Sequence, residues 1–353
     1  MKNNCIVNGE PWYDVEGNRI HAQFPHMIYE NGKYYLYGSN KEFSNGKNGI
    51  WHYGIVMYES EDMYNWKKVG FILPPNEEDE NSVLNPKNLM DAPNIIYNDK
   101  TGKYVCWMIN LAKRTAYTFT SGSLFGPYEI ACENFLLCGL EMGDFDLAKA
   151  ENGKAYIYFN RPHFEIICAE LTDDYTNVKG NYTTLLQHPE SVPFNRESPA
   201  YMCYQNKHYL ITSGTTTFFP NPSEVCVSDD MCTGFVDLGN PHVDDPSDTS
   251  FHSQIRSIFK VPGKKDLYIA LADRWLPDYM DLPYEEYKEW HIVFHGPNAT
   301  EEDQKRIAEE SKGLIFAEVF DVSLAQYVVL PIVFKDGKPT IEWRERWTLE
   351  EFE

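Results

Sequence analysis

The stretch Asn31-Gly32-Lys33-Tyr34-Tyr35-Leu36-Tyr37 joins a tight-turn pair to a run of aromatic and aliphatic residues. Asn and Gly tolerate the positive φ of a short hairpin turn, and the apolar run His26-Met27-Ile28-Tyr29 supplies the preceding strand. The same turn-plus-strand phrase recurs at residues 101–107, 152–158 and 206–211, with a weaker copy at 264–270. The copies are about 50 to 70 residues apart, which suits four-stranded blades. We therefore predict an all-β fold: a five-bladed β-propeller that forms a single domain over residues 1–353.

The segment near residues 283–312 breaks this pattern, because it is charged and poor in strand-forming residues. Thr300 can cap a helix whose first turn contains Asp303, where the helix dipole favours an acid. We predict a helical insertion between strands of the last blade, and we favour a surface embellishment over a substrate lid. We also expect the ring to close by pairing of residues near 327–345 with the N-terminal blade.

Composition narrows the possible partners. The formal net charge is -22, which disfavours nucleic acid, anionic membranes and polyanionic substrates. No apolar stretch is long enough for a membrane helix, and the N-terminal residues lack the apolar core of a signal peptide, so we expect a cytoplasmic protein. The 8 cysteines form no CxxC pair, and we expect reduced thiols and no zinc site.

Three acids stand at the same kind of place in successive repeats. Asp91, Asp144 and Glu197 each come about 8–10 residues before a copy of the phrase, where the residues ahead of each inner strand converge at one end of the axis. A single loop acid is usually just solvated, but three acids in phase are hard to explain by packing. Glycoside hydrolysis needs one protonated carboxyl to donate to the leaving oxygen, and a second carboxylate nearby raises the pKa of the first. Pro199 stiffens the turn after Glu197, and Arg196 could orient or neutralise a neighbouring group, so we predict that Glu197 is the proton donor.

The phrases around these acids resemble glycoside hydrolase family 43. The phrases are Asp91-Ala92-Pro93, residues 143–147 together with 153–156, and Arg196-Glu197-Ser198-Pro199-Ala200. The resemblance is strongest to the exo-β-1,3-galactanase branch of that family, through residues 14–22, 63–66, 213–221, 272–275 and 327–331. It implies a five-bladed propeller that acts with inversion of the anomeric centre. It also implies that Glu197 is the general acid and that Asp144 orients it and raises its pKa.

Two positions depart from the family pattern. Most of the wider family carries its general base as an aspartate directly before the proline of blade one, where this sequence has Phe24. The galactanase branch also lacks that aspartate, and a glutamine that matches Gln254 is assigned the role there. Two interpretations stay open: Gln254 activates water through unusual tautomer chemistry, or it hydrogen-bonds a sugar hydroxyl. A base at this residue would face Glu197 across a pocket, about 6.5–9.5 Å away. The second departure is Asp91, which stands where the branch has a glutamate.

Further residues are predicted to contact the sugar or an ion. Gln23 and Phe24 replace a glycine-rich turn of the branch, and we expect Phe24 to form an apolar wall. Arg274 is expected to bind a sugar hydroxyl or to pair with Asp273. The candidate stacking platforms are Trp51, Phe218, Phe219 and Trp275. Three histidines, His21, His163 and His252, could meet at the axis around a water or cation, since the family sometimes holds calcium or sodium; no catalytic metal or other cofactor is predicted.

The leading interpretation is an inverting exo-glycosidase that removes terminal galactosyl or related units from oligosaccharides. The same scaffold would also serve an α-L-arabinofuranosidase or a β-galactofuranosidase. A non-enzymatic alternative is a glycan-binding propeller that has lost its base. The retention of both Glu197 and Asp144 favours an enzyme, because a lectin has no need of a tuned acid.

Overall fold

Five sheets radiate around one axis in this computed structural model, which describes residues 3–162, 164–187 and 192–353. The predicted all-β, five-bladed propeller is confirmed. In chain order the strands are β1 (Ile6–Val7), β2 (Gln23–Glu30), β3 (Lys33–Ser39), β4 (Ile55–Ser60), β5 (Lys67–Leu73), β6 (Met90–Asn98), β7 (Lys103–Asn110), β8 (Thr115–Ser121), β9 (Glu129–Phe135), β10 (Phe145–Lys149), β11 (Ala155–Arg161), β12 (Glu165–Leu171), β13 (Val178–Gln187), β14 (Glu197–Tyr204), β15 (Lys207–Ser213), β16 (Ser223–Ser228), β17 (Val236–Asp237), β18 (His242–Val243), β19 (Gln254–Lys260), β20 (Tyr268–Arg274), β21 (Gln326–Lys335), β22 (Lys338–Glu342) and β23 (Arg346–Trp347). The two α-helices are α1 (Tyr284–His295) and α2 (Glu301–Glu310).

Blades one to four are built from consecutive hairpins. Blade one is β2 to β5, blade two β6 to β9, blade three β10 to β13 and blade four β14 to β17, each in sequence order. Blade five has the order β18-β22-β21-β20-β19. The first hairpin shows why the repeated phrase works: Asn31 and Gly32 have φ of 50° and 80°, and they bring Tyr29 opposite Tyr34. Positive φ at both central residues is what a tight turn between twisted strands requires.

Ring closure differs from the expectation. Residues 326–335 and 338–342 form β21 and β22, which pair inside blade five and not with blade one. Closure comes instead from β1, which pairs with β23 ahead of the first blade, and from Gly9, whose N–H donates to the carbonyl of Tyr327. The reason is the strand count: β19 and β20 supply only the inner half of blade five, and β21 and β22 are needed to complete it.

The predicted helical insertion is confirmed as α1 and α2, between β20 and β21. Thr300 caps α2 in a reciprocal capping box with Asp303, which satisfies two otherwise unpaired backbone donors. The insertion is more than a surface embellishment, because α1 packs into the core. Tyr287 stacks on Phe219 with ring centroids 4.6 Å apart and donates its hydroxyl to the carbonyl of Pro220. The insertion therefore supports the loop that follows β15.

The core lies between neighbouring blades. Met57 of blade one packs in one apolar cluster with Met108 and Phe119 of blade two. Between blades two and three, the buried indole of Trp107 donates its Nε1–H to the carbonyl of Tyr175 at 2.8 Å. Burying a large apolar side chain contributes about 1.5–3 kcal/mol, so these inter-blade contacts hold the inner strands in place. Within the described residues, no helix has the length and apolar character to span a membrane.

Candidate active site

The inner strands of blades one, two and four begin with the same backbone kink. The residue directly before the proline in each of these strands has a positive φ: 56° at Phe24, 52° at Ala92 and 51° at Ser198. Each is followed by proline, and the strand register shifts there. A bulge of this kind re-aims the side chain beside it, and its strained backbone costs about 1–3 kcal/mol.

This kink identifies equivalent residues in three blades. Gln23, Asp91 and Glu197 each stand two places before the proline and directly before the positive-φ residue. The backbone counterpart of Glu197 in blade one is therefore Gln23, and not Phe24. In blade three Asp144 lies just before β10, and in blade five Gln254 begins β19. The starts of all five inner strands thus bring the predicted residues to one end of the propeller.

Asp144 and Glu197 are linked through an arginine that the sequence analysis missed. The guanidinium of Arg256 holds the Asp144 carboxylate in a two-pronged ion pair, with both N···O distances 2.9 Å. The Arg256 side chain is 4% exposed and that of Asp144 14%. A planar fork matches a carboxylate better than a lysine would, which fixes the orientation of Asp144. Arg256 lies two residues after Gln254 on β19. Side chains two residues apart on a strand point to the same face, so this spacing could have identified Arg256 as a site residue.

Glu197 is held as a protonated acid near neutral pH. Burial and, second, the negative charge of Asp144 raise the pKa of Glu197 to about 8. Arg256 and the hydrogen bond from Gln254 oppose the shift but do not cancel it. A carboxyl that keeps its proton at neutral pH can donate it to a leaving group, which an ordinary glutamate cannot do.

Gln254 uses every hydrogen-bonding position of its amide. Its Nε2 donates to Ser213 Oγ at 2.8 Å and to Glu197 Oε1 at 3.2 Å. Its Oε1 accepts from Arg256 Nη1 at 3.1 Å and from Trp275 Nε1 at 3.3 Å. The reverse amide orientation would set its N–H groups against two obligatory donors, so this orientation is the one that the neighbours dictate.

The expected separation of Glu197 and Gln254 is therefore wrong. They do not face each other across a gap that fits a water; they are hydrogen-bonded at 3.2 Å. Both start inner strands of adjacent blades, and β14 packs against β19, which brings their side chains together.

Asp91 is not a free carboxylate at the pocket. It is fully buried, with Oδ2 bonded to Lys41 Nζ at 2.6 Å and to Trp51 Nε1 at 2.8 Å. The Lys41 ammonium also lies 4.6 Å from the Trp51 ring centroid. Because a fully buried, paired carboxylate cannot meet a substrate, the expectation of a catalytic Asp91 is corrected: it positions Trp51.

The aromatic residues divide into two groups. Trp51 and Phe218 are partly exposed and line a cavity of about 180 Å³, so they remain the candidate stacking surfaces. Trp275 is buried and acts on the site through its bond to Gln254. The prediction that Phe219 stacks on a sugar ring is wrong, because Phe219 is buried against α1. Phe24 is buried, with the Arg256 guanidinium 4.1 Å from its ring centroid, and its role as an apolar wall of the sugar pocket stays a prediction.

The predictions that Gln23 and Arg274 contact the sugar are also wrong. Gln23 is fully buried, and its amide reaches the Tyr327 hydroxyl at 3.4 Å. Arg274 does not pair with Asp273; it donates to the carbonyl of Phe251 at 2.9 Å, and its guanidinium lies over the Trp343 ring. Neighbouring residues on a strand point to opposite faces, so Asp273 and Arg274 cannot serve one site.

Asp273 instead holds the backbone of Phe24 in place. Its Oδ2 accepts the backbone N–H of Phe24 at 2.8 Å, which holds the kink of blade one. Burial is the main reason that the pKa of Asp273 is raised to about 8.

His21 and His252, the two histidines of this set that the structure describes, have different charged neighbours. His21 lies near Arg19 and Lys68, whereas His252 lies near Arg274. His163 lies outside the described residues. In the ranges that the structure describes, no group of three or more His, Cys, Asp or Glu side chains is placed to hold a metal ion.

Asp144→Asn is expected to move the alkaline limb of the pH–rate profile to lower pH by roughly one unit. The limb reports loss of the proton on Glu197, and the negative charge of Asp144 helps to retain that proton. Asparagine removes the charge, so the pKa of Glu197 falls. Initial rates across neutral and alkaline pH measure the shift, with Asp266→Asn, an exposed turn residue, as the matched control. A limb that stays in place would show that Glu197 does not sense Asp144.

Comparison with known proteins gives a consistent set of similarities. The sequence model described as Glycosyl hydrolases family 43 matches residues 17–306. A family 43 β-1,3-galactosidase has a similar structure, with TM-score 0.78 and 25% identity over 99% of this chain. This chain spans 65% of that protein. A second family 43 β-1,3-galactosidase, solved with galactodeoxynojirimycin, has TM-score 0.76 and 24% identity, over 98% of this chain and 100% of that one.

An exo-β-1,3-galactanase from Clostridium thermocellum has TM-score 0.72 and 25% identity. The comparison covers 97% of this chain and 66% of that one. No curated protein sequence matches this chain.

Proposed function

Because this chain belongs to glycosyl hydrolases family 43, we propose that it is an inverting exo-glycosidase that releases terminal β-1,3-linked galactosyl units from oligosaccharides. Its structural neighbours include β-1,3-galactosidases and an exo-β-1,3-galactanase, and this supports galactose as the sugar. The observation that carries the proposal is the arrangement of Glu197 near the Asp144 carboxylate that Arg256 clamps, in which burial and the charge of Asp144 raise the pKa of Glu197.

In this proposal a water molecule attacks the anomeric carbon from the opposite face and loses a proton to solvent, while Glu197 donates its proton to the glycosidic oxygen as the bond from that oxygen to the anomeric carbon breaks. Asp144, fixed by Arg256, keeps that proton on Glu197 until the leaving oxygen gains negative charge. After donation, Glu197 becomes a carboxylate, and the N–H of Gln254 and the charge of Arg256 stabilise it. The site thus favours the charge distribution of the transition state over that of the resting state.

We assign Gln254 to positioning Glu197 and not to the activation of water. Both oxygen lone pairs of its amide are engaged by donors from Arg256 and Trp275. An amide oxygen in that state has no site for a proton taken from water. The same bonds leave the N–H free to aim at the oxygen of Glu197.

A panel of substrates tests the proposed activity. We expect release of free galactose from the non-reducing end of β-1,3-galactooligosaccharides, with the first-formed sugar in the inverted anomeric configuration by proton NMR. Nitrophenyl α-L-arabinofuranoside and β-galactofuranoside serve as the competing substrates. Turnover of a furanoside alone would replace galactose as the sugar, and a retained configuration would contradict the mechanism. Calorimetric binding of galactosides without any turnover would identify a lectin.

A further inference from the structure

Two thiols face each other across the boundary between blades three and four. Cys168 on β12 is 1% exposed, and Cys232 lies in the partly exposed turn after β16. Their sulfur atoms are 3.4 Å apart. Both are free cysteines, and in the part of the chain that the structure describes no other pair of sulfurs is in contact.

The turn that carries Cys232 is held against the neighbours of Cys168. Tyr158 on β11 and Thr183 on β13 are the cross-strand partners of Cys168. Tyr158 donates its hydroxyl to the carbonyl of Met231 at 2.9 Å, and Thr183 donates its hydroxyl to the carbonyl of Cys232 at 2.6 Å. The two strands that flank Cys168 therefore fix the backbone of Cys232 directly opposite its thiol.

This arrangement needs little movement to form a covalent bond. A disulfide has an S–S distance of about 2.0 Å, so the sulfurs must approach by about 1.4 Å. The Cys232 side is the end of a short turn, closed by a bond from its own N–H to Asp230 Oδ1 at 2.7 Å. A turn of this kind can absorb the shift more readily than the buried strand β12.

We propose that Cys168 and Cys232 are a disulfide-forming site that joins blade three to blade four by exchange with a low-molecular-weight disulfide such as oxidised glutathione. The Cys232 thiolate attacks one sulfur of the oxidant, forming a mixed disulfide and releasing one glutathione thiolate, which takes up a proton. Cys168 then loses its proton and attacks Cys232 Sγ, which expels the second glutathione. Two protein thiols are oxidised, and one glutathione disulfide is reduced to two thiols.

The order of attack follows from the geometry. Cys232 is the more accessible sulfur, and it accepts a hydrogen bond from the Cys168 thiol. That hydrogen bond lowers the pKa of Cys232, which increases the thiolate fraction at the sulfur that meets the oxidant. Cys168 is buried, and it is placed to resolve the mixed disulfide from behind.

The bond would cross-link the two blades that carry Asp144 and Glu197. Neither sulfur contacts these carboxylates, so we expect the bond to act on stability and not on the chemical step. A cross-link that closes a loop of this length restricts the unfolded chain and is expected to raise Tm by roughly 5 °C. This inference does not depend on the proposed function.

The full chain is incubated in reduced and oxidised glutathione buffers, and its peptides are mapped by mass spectrometry. We expect a peptide pair joined through Cys168 and Cys232 in the oxidised sample, with the higher Tm in the same sample. Both signals should persist in Cys203→Ser, which removes an exposed cysteine outside the pair, and both should vanish in Cys232→Ser and Cys168→Ala.

The wild-type protein decides the question even if a variant folds poorly. A glutathione adduct that stays on Cys232 without a cross-link would overturn the proposal, as would two thiols that remain reduced in the oxidised buffer. A Tm rise that survives in Cys232→Ser would assign the stabilisation to another cause.

Discussion

Replacing Glu197 with glutamine is expected to lower kcat/KM for a galactoside with a sugar leaving group by about 10²–10⁴-fold. A sugar leaves as a strongly basic alkoxide unless its oxygen is protonated, and Glu197 is the group whose pKa of about 8 keeps a proton available. Glutamine preserves the size of the side chain and can still accept from Gln254, so the fold should be unchanged. Steady-state hydrolysis of a β-1,3-galactobiose measures the loss, with circular dichroism as the check on folding.

Leaving-group dependence separates acid catalysis from a general loss of activity. Nitrophenolate departs without protonation, so Glu197→Gln should retain much more of its activity on nitrophenyl galactoside than on the disaccharide. Glu129→Gln, on the exposed strand β9, is the matched control and should behave as wild type on both substrates. Near-normal turnover of the disaccharide by Glu197→Gln would remove Glu197 from the mechanism.

Replacing Gln254 with alanine is expected to lower kcat/KM for the disaccharide by roughly 10–100-fold, because Glu197 loses the donor that aims it. The substitution also leaves buried donors of Arg256 and Trp275 without their acceptor, at a cost of about 1–3 kcal/mol of stability for each. Tm should therefore fall together with activity. The kinetic loss should be smaller on nitrophenyl galactoside, in parallel with Glu197→Gln.

That parallel distinguishes positioning from water activation. A good leaving group cannot replace a missing base, so a catalytic base at Gln254 would give an equal loss on both substrates. Equal losses would restore Gln254 as the base and contradict its assignment here. Gln304→Ala, on the exposed surface of α2, removes an amide of the same type and should change neither activity.

The propeller and its insertion were predictable because their signals are local. A hairpin is specified by a turn pair and the two short runs that flank it, as around Asn31 and Gly32. The capped start of α2 is specified by Thr300 and Asp303, three residues apart. Ring closure was predicted wrongly because it depends on which late strand fills blade five, and no local signal states that choice.

The common position of Asp91, Asp144 and Glu197 in their repeats could likewise be predicted from the sequence, but the residues that form ion pairs with them could not. Asp91 looked like a third carboxylate of the pocket until Lys41, 50 residues away, proved to be its ion-pair partner. The fork on Asp144 comes from Arg256, 112 residues away. A proline two residues on marked the site residue in blades one, two and four, yet the kink that decides where its side chain points is a property of the folded strand.

The sequence by itself determined the repeat, the blade number and the shared position of Asp91, Asp144 and Glu197 before their inner strands, because each follows from short patterns repeated in phase. Gln254 was identified through the family resemblance. Only the tertiary structure decided which of these groups is charged, protonated or already bonded. Burial and the charges of neighbouring blades set the pKa of Glu197, and the amide of Gln254 accepts from Arg256 and Trp275 while it donates to Glu197. Such quantities depend on distances of a few ångströms between residues far apart in the chain, and they take a value only once the ring has closed.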